Sequence, residues 1–190
     1  MMNNFQRLIF VCTVLLGSTV LATAQQAVSG YEPAVKKEIG HLNNLYEIDS
    51  GVYRSEQPRR RSFPALEKAG IREILNLRRH KNKDRKRSGQ HDFILHQVPL
   101  KARDINEANV IEALRIIRDR QGPILIHCWA GADRTGLISA MYRIVFDHWS
   151  KEAAIHEMEK GGFGFHKRYK EVPAYIRQAD IERIRKQLSE

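Results

Sequence analysis

One short segment combines a cysteine, a glycine and an arginine at spacings that can do chemistry. The segment His127–Gly136 reads HCWAGADRTG, with five residues between Cys128 and Arg134. A loop of this length that enters a helix can turn its backbone amides toward the positive end of that helix and bind a phosphate dianion. Gly131 gives the backbone freedom that the curl needs. We expect these residues to hold the phosphate: Trp129, Ala130, Gly131, Ala132, Asp133 and Arg134.

The same segment predicts a nucleophile. A helix N-terminus and an arginine favour the thiolate of Cys128, which is the nucleophilic form of cysteine. Ionisation alone gives a modest gain in rate. We therefore expect most of the catalysis from Arg134 and the loop amides, which hold the transferring phosphoryl group. Thr135 is predicted to donate its hydroxyl to the sulfur as the sulfur leaves. His127 is predicted to support the loop through a backbone hydrogen bond; the alternative is a core histidine at a strand end.

The segment lies within a regular alternation of strands and helices. The apolar patterns predict a strand pair within 45–53, strands at 73–77, 93–99 and 124–127, and helices at 62–69, 106–120, 135–149, 150–162 and 172–188. This alternation predicts a single-domain α/β fold, with a central and mainly parallel sheet flanked by helices. Ligands of such sheets bind at the carboxyl ends of the strands. The loops predicted to lie there are 78–90, 100–105 and 128–134.

Several motifs carry a family resemblance. The pattern H-C-x-x-G-x-x-R-T at 127–135 resembles the signature of the cysteine-dependent protein tyrosine and dual-specificity phosphatases. Further segments resemble the small atypical dual-specificity phosphatases, and most closely their exported bacterial branch: Val52–Pro58 (VYRSEQP), Gly70–Ile71, Leu75–Arg78 (LNLR) and Gly161–His166 (GGFGFH). The similarity spans roughly 45–175. It implies a phosphatase fold of this type and a phosphocysteine mechanism that uses no metal or other cofactor.

The resemblance also implies a general acid, which families of this type carry on a loop before the cysteine loop. Asp104 is the one carboxylate in Val98–Asp104 (VPLKARD), and we assign it that role. The spacing of Asp104 and Glu107 leaves open that Asp104 only caps the following helix. Asp133 is the rival acid, because a carboxylate beside a bound phosphate holds its proton more readily. Alternatively, Asp133 pairs outward with a surface base.

Basic residues surround the predicted site. The net formal charge is +10, and the stretch 78–87 (RRHKNKDRKR) holds seven lysines and arginines against one aspartate. Together with Arg59–Arg61, this stretch is expected either to steer anionic substrates or to be a solvated loop. No aromatic-interleaved basic pattern favours nucleic acid. No metal site is expected, because these histidines lack ligand spacing: His80, His91, His96, His156 and His166.

The first residues predict export. Arg7 precedes an apolar run, Leu8–Leu21, and an A-x-A site at Ala22–Ala24. This order is typical of a signal peptide cleaved after Ala24. The run is about 14 residues, short of the roughly 20 that span a bilayer, so no stable span is expected after cleavage. The predicted organisation is a signal peptide at 1–24, a leader at 25–44 and a phosphatase domain at 45–190. The predicted location is the periplasm or the exterior.

These features together predict a metal-independent protein phosphatase. The expected substrate is phosphotyrosine in a protein or peptide, with phosphoserine and phosphothreonine left open. An inositol polyphosphate or phosphoinositide phosphatase is the alternative, although the loop has no lysine to meet a second phosphate. A phosphate-binding module without catalysis is an alternative of another class. Trp129 and Phe163 are expected to be wall or core residues, with stacking on a phosphotyrosine ring left open.

Overall fold

The computed structural model describes residues 31–79 and 83–190. The predicted signal peptide, the first part of the leader and His80 lie outside the described residues. Pro33–Glu190 form one compact unit. This unit begins earlier than the predicted boundary at residue 45, because Val35–Lys36 pair with the next strand.

Six strands of the described chain form one sheet, in the order β1-β2-β3-β6-β4-β5. The strands are β1 (Val35–Lys36), β2 (Tyr46–Asp49), β3 (Val52–Ser55), β4 (Glu73–Asn76), β5 (Ile94–Gln97) and β6 (Ile124–His127). The pairs β3–β6, β6–β4 and β4–β5 are parallel, whereas the pairs β1–β2 and β2–β3 are antiparallel. The prediction of a mainly parallel sheet is confirmed.

The central strand β6 ends where the predicted chemistry begins. All four of its residues are buried, as expected for a strand covered on both faces. His127 pairs with Ser55 of β3 on one side and with Asn76 of β4 on the other. The carboxyl ends of three neighbouring strands therefore meet at the start of the 128–132 loop.

Seven α-helices lie in the described residues, in addition to a 3₁₀ turn at Arg60–Ser62. They are α1 (Phe63–Lys68), α2 (Asp84–Ser88), α3 (Glu107–Arg118), α4 (Asp133–Val145), α5 (Lys151–Lys160), α6 (Glu171–Gln178) and α7 (Ile181–Ser189). None of these helices is long and apolar enough to cross a membrane.

Helix α4 is the central helix of the fold. It contacts α3, α5, α6 and α7 as well as β3 and β6, and every residue from Thr135 to Val145 is buried. Burial on all sides holds the axis of α4 in place. The N-terminus of α4, which follows the 128–132 loop, is therefore held at a fixed position above the sheet.

Three boundaries differ from the sequence predictions. The last predicted helix is two helices, because the side chain of Asp180 caps α7 by accepting a hydrogen bond from Arg183 N at 3.0 Å. Within the predicted 78–90 loop, residues 84–88 form the short helix α2. The cap of α3 is Asn106, which accepts from Asn109 N. The alternative in which Asp104 caps that helix is therefore wrong.

Buried charges anchor the N-terminal segment to the helices. Arg143 of α4 donates to Glu157 of α5 at 3.2 Å, and both side chains are at most 9% exposed. The backbone amide of Ala34 donates to the same carboxylate at 2.8 Å. A buried charge needs such partners, because desolvation without them costs several kcal/mol per ion.

Candidate active site

Cys128 lies at the junction of β6 and the predicted phosphate loop. Its side chain is 1% exposed. Residues 128–132 form a loop between the end of β6 at His127 and the start of α4 at Asp133. The strand, loop and helix therefore follow one another as the sequence predicted. The cysteine stands beside the N-terminus of a buried helix of 13 residues.

The carbonyl oxygens of the loop are all held from outside it. Four successive carbonyls each accept a hydrogen bond. Cys128 O accepts from His127 Nδ1 at 3.1 Å, and Trp129 O accepts from Gln57 N at 3.0 Å. Ala130 O accepts from Asn44 Nδ2 and Gly131 O from Arg54 Nη2, both at 2.8 Å. Successive carbonyls that point outward leave the amides of the same peptide units pointing to the inside of the curl.

The amides of the loop are available to an anion. Among the described residues, no hydrogen bond is donated by the amides of residues 129–132. The first amides of α4, which have no partner within their helix, add to the same concave surface. The geometry is that of a nest with room for an anion at its centre, and the binding of phosphate by residues 129–134 stays a prediction.

Gly131 is required for the curl. Its φ is +71°, and a Cβ at this position would lie 2.6 Å from Glu56 N and still closer to the carbonyl of Ser55. The backbone of the loop thus rests directly on the backbone that follows β3. Any larger residue at position 131 would push the two segments apart.

Arg134 is the cation that the sequence predicts for the phosphate. It lies in the first turn of α4 and is half-buried. Within the described chain no carboxylate pairs with its guanidinium. The bidentate geometry of arginine suits a phosphoryl group, and a lysine would not replace it.

Arg54 is a second cation at the site, and the sequence reasoning did not identify its role. It is 1% exposed, and its guanidinium stacks over the ring of Phe163 at 3.8 Å. Burial lowers its pKa to about 10, against the opposing attraction of Glu157 and Cys128. The sequence could have indicated this role, because Arg54 directly follows the predicted strand pair, two positions after the apolar Val52. Such a residue is charged and must have a partner.

Arg78 is the third cation. Burial lowers its pKa, and so does repulsion from Arg87 and Arg134, while Asp84 and Cys128 oppose the shift. Its guanidinium donates to Gln57 Oε1 at 2.8 Å. The position of Arg78 beside both Cys128 and Arg134 adds positive potential where the phosphate and the thiolate would lie.

Asp84 supports the loop from below, and the sequence reasoning treated it only as the lone acid of a basic stretch. It is 1% exposed, lies 3.2 Å from His127 Nε2 and accepts from Gln57 Nε2 at 2.7 Å. Burial would raise its pKa, but hydrogen bonds from His127, Gln57 and Asn76 hold that pKa below its ordinary value. The other ring nitrogen of His127 reaches the Cys128 carbonyl. The predicted loop-supporting contact of His127 is therefore present.

Asp104 lies on the loop between β5 and α3. Its side chain is 72% exposed and accepts from Lys101 Nζ at 2.6 Å. That hydrogen bond and the charge of Lys101 lower the pKa of Asp104. The residue borders a cleft of about 260 Å³, which is lined by Arg79, Pro99, Leu100, Lys101, Asn106 and Asn109.

Contacts through one aromatic residue connect the Asp104 loop with the phosphate loop. Arg103 stacks over Tyr169 at 5.7 Å, and Tyr169 makes an edge contact with His166. His166 donates its amide to Asp133 Oδ1 at 3.0 Å, and its Nδ1 lies equally close. This series of contacts links the loop that carries Asp104 to the N-terminus of α4. The expected alternative for Asp133, pairing outward with a base, is present in the structure.

Thr135 and Trp129 complete the loop. Thr135 is fully buried, and its hydroxyl has no hydrogen-bond partner among the described residues, so its donation to sulfur stays a prediction. Phe163 is a core residue, as expected, but Trp129 is 64% exposed. For Trp129 the core alternative is therefore wrong, and the alternatives of a wall residue or of stacking on a phosphotyrosine ring stay open. Nowhere in 31–79 or 83–190 do three or more metal-ligating side chains cluster.

Comparison with known proteins gives consistent matches. Residues 41–190 match the model of the tyrosine phosphatase family. The chain is 35% identical over 173 residues to the dual specificity protein phosphatase TpbA of Pseudomonas aeruginosa PAO1, which covers 90% of this chain and 78% of that protein. It is 28% identical over 126 residues to the inositol diphosphatase DSP3 of Arabidopsis thaliana, with 62% of each chain covered.

A solved structure extends the match to three dimensions. The crystal structure of P. aeruginosa TpbA, as a cysteine-to-serine variant in complex with phosphotyrosine, superimposes with a TM-score of 0.73 at 32% identity and covers 85% of this chain and 98% of that chain. The family model, the relatives and the loop geometry agree. The chain therefore belongs to the tyrosine phosphatase family, as a small dual-specificity member of the cysteine-dependent superfamily.

Proposed function

We propose that this chain hydrolyses phosphotyrosine in proteins or peptides through a phosphocysteine at Cys128. The observation that carries the proposal is the loop whose four carbonyls are held outward, with Cys128 at its base and Arg134 unpaired at its rim. The phosphotyrosine complex of TpbA supports the choice of substrate.

The proposed reaction has two steps. The Cys128 thiolate attacks phosphorus, the bond from phosphorus to the tyrosine oxygen breaks, and Asp104 gives its proton to that oxygen. Water then attacks the phosphocysteine and loses a proton to Asp104, while the sulfur leaves as a thiolate and accepts a hydrogen bond from Thr135. Throughout, Arg134 and the loop amides hold the three equatorial oxygens, where the negative charge is spread.

We predict that Cys128→Ser abolishes turnover of a phosphotyrosine peptide in the presence of a chelator. The hydroxyl of serine is far less ionised than a thiol and is a poor nucleophile here. The measurement is phosphate release by residues 25–190, with phosphotyrosine and phosphoserine peptides compared. Chelator-sensitive turnover, or turnover that survives Cys128→Ser, would contradict the cysteine mechanism.

An inositol diphosphate is the second candidate substrate. The Arabidopsis relative favours it, and so do Arg79 and Lys101, two exposed cations that line the cleft beside Asp104. The same assay distinguishes the two substrates, because an enzyme of this second kind would release phosphate from the inositol compound and leave both peptides intact. If the protein binds phosphate but releases none from the phosphotyrosine peptide, the phosphoserine peptide or the inositol compound, the result would support a phosphate-binding module without catalysis.

Asp104 is proposed as the acid because its side chain is 72% exposed beside the cleft, where one lysine contacts it, whereas both the amide and the ring of His166 hold Asp133. A general acid acts only while protonated, so activity falls as the pH rises through its pKa. Because Lys101 lowers the pKa of Asp104, Lys101→Met raises it. We predict that the alkaline fall of kcat/KM then moves to higher pH, while Asp104→Asn lowers kcat about 100-fold.

The measurement is the pH profile of phosphotyrosine hydrolysis by each variant. Lys160→Met, which removes an exposed lysine at the end of α5, is the matched control and should leave the profile in place. If Asp133→Asn rather than Asp104→Asn removes the alkaline fall, the roles of the two aspartates are reversed.

The basic surface is proposed to steer phosphorylated substrates to the site. Helix α2 carries Arg85, Lys86 and Arg87. Its one acid, Asp84, is buried and already paired with neighbouring donors. Arg87 also pairs with Asp84, at 3.7 Å, whereas Arg85 and Lys86 remain exposed at the surface. Such a field raises the rate of encounter with anions at low ionic strength.

Export to the periplasm or the exterior is proposed from the segment 1–24 alone. The prediction is that protein recovered from a bacterial host begins at Gln25, because a small residue stands at each end of the Ala22–Ala24 site. N-terminal sequencing measures this, with Ala24→Glu as a variant that should block cleavage. Recovery of the intact N-terminus from the wild-type chain in the cytosol would contradict the proposal.

A further inference from the structure

Trp129 is exposed in a way that packing does not explain. Three large apolar side chains of the described chain are exposed, namely Val35, Ile94 and Trp129, and Trp129 is the most exposed at 64%. Val35 lies in the edge strand β1, and Ile94 lies at the amino end of the other edge strand, β5, whereas the phosphate loop follows the carboxyl end of β6. Trp129 alone among the three directly follows the nucleophile.

The exposed ring is held in place. The Trp129 carbonyl accepts from Gln57 N at 3.0 Å. The guanidinium of Arg78 lies over the indole ring at 4.8 Å and donates to Gln57 Oε1 at 2.8 Å. Gln57 therefore fixes both the backbone of Trp129 and the cation that contacts its ring. The indole is a supported surface with one side on Arg78, and the stacked pair is stabilised by cation–π attraction.

The ring stands where the organic part of a substrate must pass. A phosphate bound by the loop amides directs its ester oxygen out of the curl, toward the rim. The remaining loop side chains are methyl groups or hydrogen, since residues 130–132 are Ala, Gly and Ala. Trp129 is consequently the one group within the loop that can make a large apolar contact with the esterified residue.

We propose that Trp129, backed by Arg78, is a specificity-determining surface that packs on the aromatic ring of phosphotyrosine and favours it over phosphoserine and phosphothreonine. The inference rests on the proposed phosphatase function and deepens it. An aromatic ring gains from such a contact, whereas the short aliphatic link of phosphoserine does not reach it. The expected preference from this contact is about tenfold.

The first test compares two peptides that differ only in phosphotyrosine or phosphoserine. The quantity is the ratio of their kcat/KM values. Trp129→Ala is expected to lower this ratio about tenfold, and Trp129→Phe is expected to keep most of it, because phenylalanine retains an aromatic face. Ile94→Ala removes another exposed apolar side chain, 48% exposed and on the edge strand β5, and should leave the ratio unchanged.

The second test reads binding without turnover. The chain has two tryptophans, and Trp149 is only 8% exposed. In Cys128→Ser, free phosphotyrosine is expected to change the tryptophan emission, and phosphoserine to change it much less. The response should disappear when Trp129→Phe is added, because Trp149 then remains as the sole emitter.

The outcomes separate this inference from the proposed function. If Trp129→Ala lowers kcat/KM equally for both peptides, the ring only supports the loop and the inference is overturned. The inference is also overturned if Trp129→Phe and Trp129→Ala lower the ratio of kcat/KM values equally, because the aromatic face would then not contribute to the preference. If the wild-type enzyme hydrolyses neither peptide, the proposed function fails, and the emission response to phosphotyrosine still decides whether the ring contacts an aryl phosphate.

Discussion

The active site depends on hydrogen bonds that the substrate would never touch. Four carbonyls of the 128–131 stretch are each held outward by a donor: three of the donors come from distant parts of the chain, and the fourth is the ring of the neighbouring His127. A peptide unit that is pinned by its oxygen has its amide directed the other way. The donors are Asn44 before β2, Arg54 in β3, Gln57 just after β3, and His127 at the end of β6. The strands of the sheet and the segments beside them therefore set the shape of the phosphate site. Preorganised amides of this kind stabilise a charged transition state without reorganising during the reaction.

The same arrangement brings three cationic side chains close to the sulfur of Cys128. Arg54 lies beneath the loop, Arg78 beside it and Arg134 at its rim, and the first two are electrostatically coupled to Cys128. Three cations so close together repel one another. The fold offsets this with buried carboxylates, since Glu157 attracts Arg54 and Asp84 attracts Arg78. The buried acids thus make it possible to keep an arginine free for the phosphate.

The sequence predicted the parts of this site that are local, and did not predict the parts that depend on contacts between distant segments. The strand, loop and helix around Cys128 follow from a short motif, and the sheet follows from an alternation of apolar runs. Asn44, Arg54 and Asp84 reach the loop from 43 to 86 positions away along the chain. No local pattern marks such contacts. The exposure of Trp129 was missed for a similar reason, because a tryptophan near a buried strand is usually packed.

The central claim is that the curl of the loop, made possible by Gly131 resting on Ser55 and Glu56, creates the phosphate site. The most direct measurement compares kcat/KM of Gly131→Ala with that of Gly70→Ala. Both glycines have positive φ, +71° and +82°, but a Cβ at position 70 meets nothing within 4 Å. Both variants should lose about 1–2 kcal/mol of stability from the strained backbone, and Gly131→Ala should lose more because its Cβ would overlap the backbone of Ser55 and Glu56. Only Gly131→Ala is also expected to lose about 100-fold in kcat/KM, since small displacements of a catalytic group have effects of that size. A folded Gly131→Ala variant as active as Gly70→Ala would contradict it.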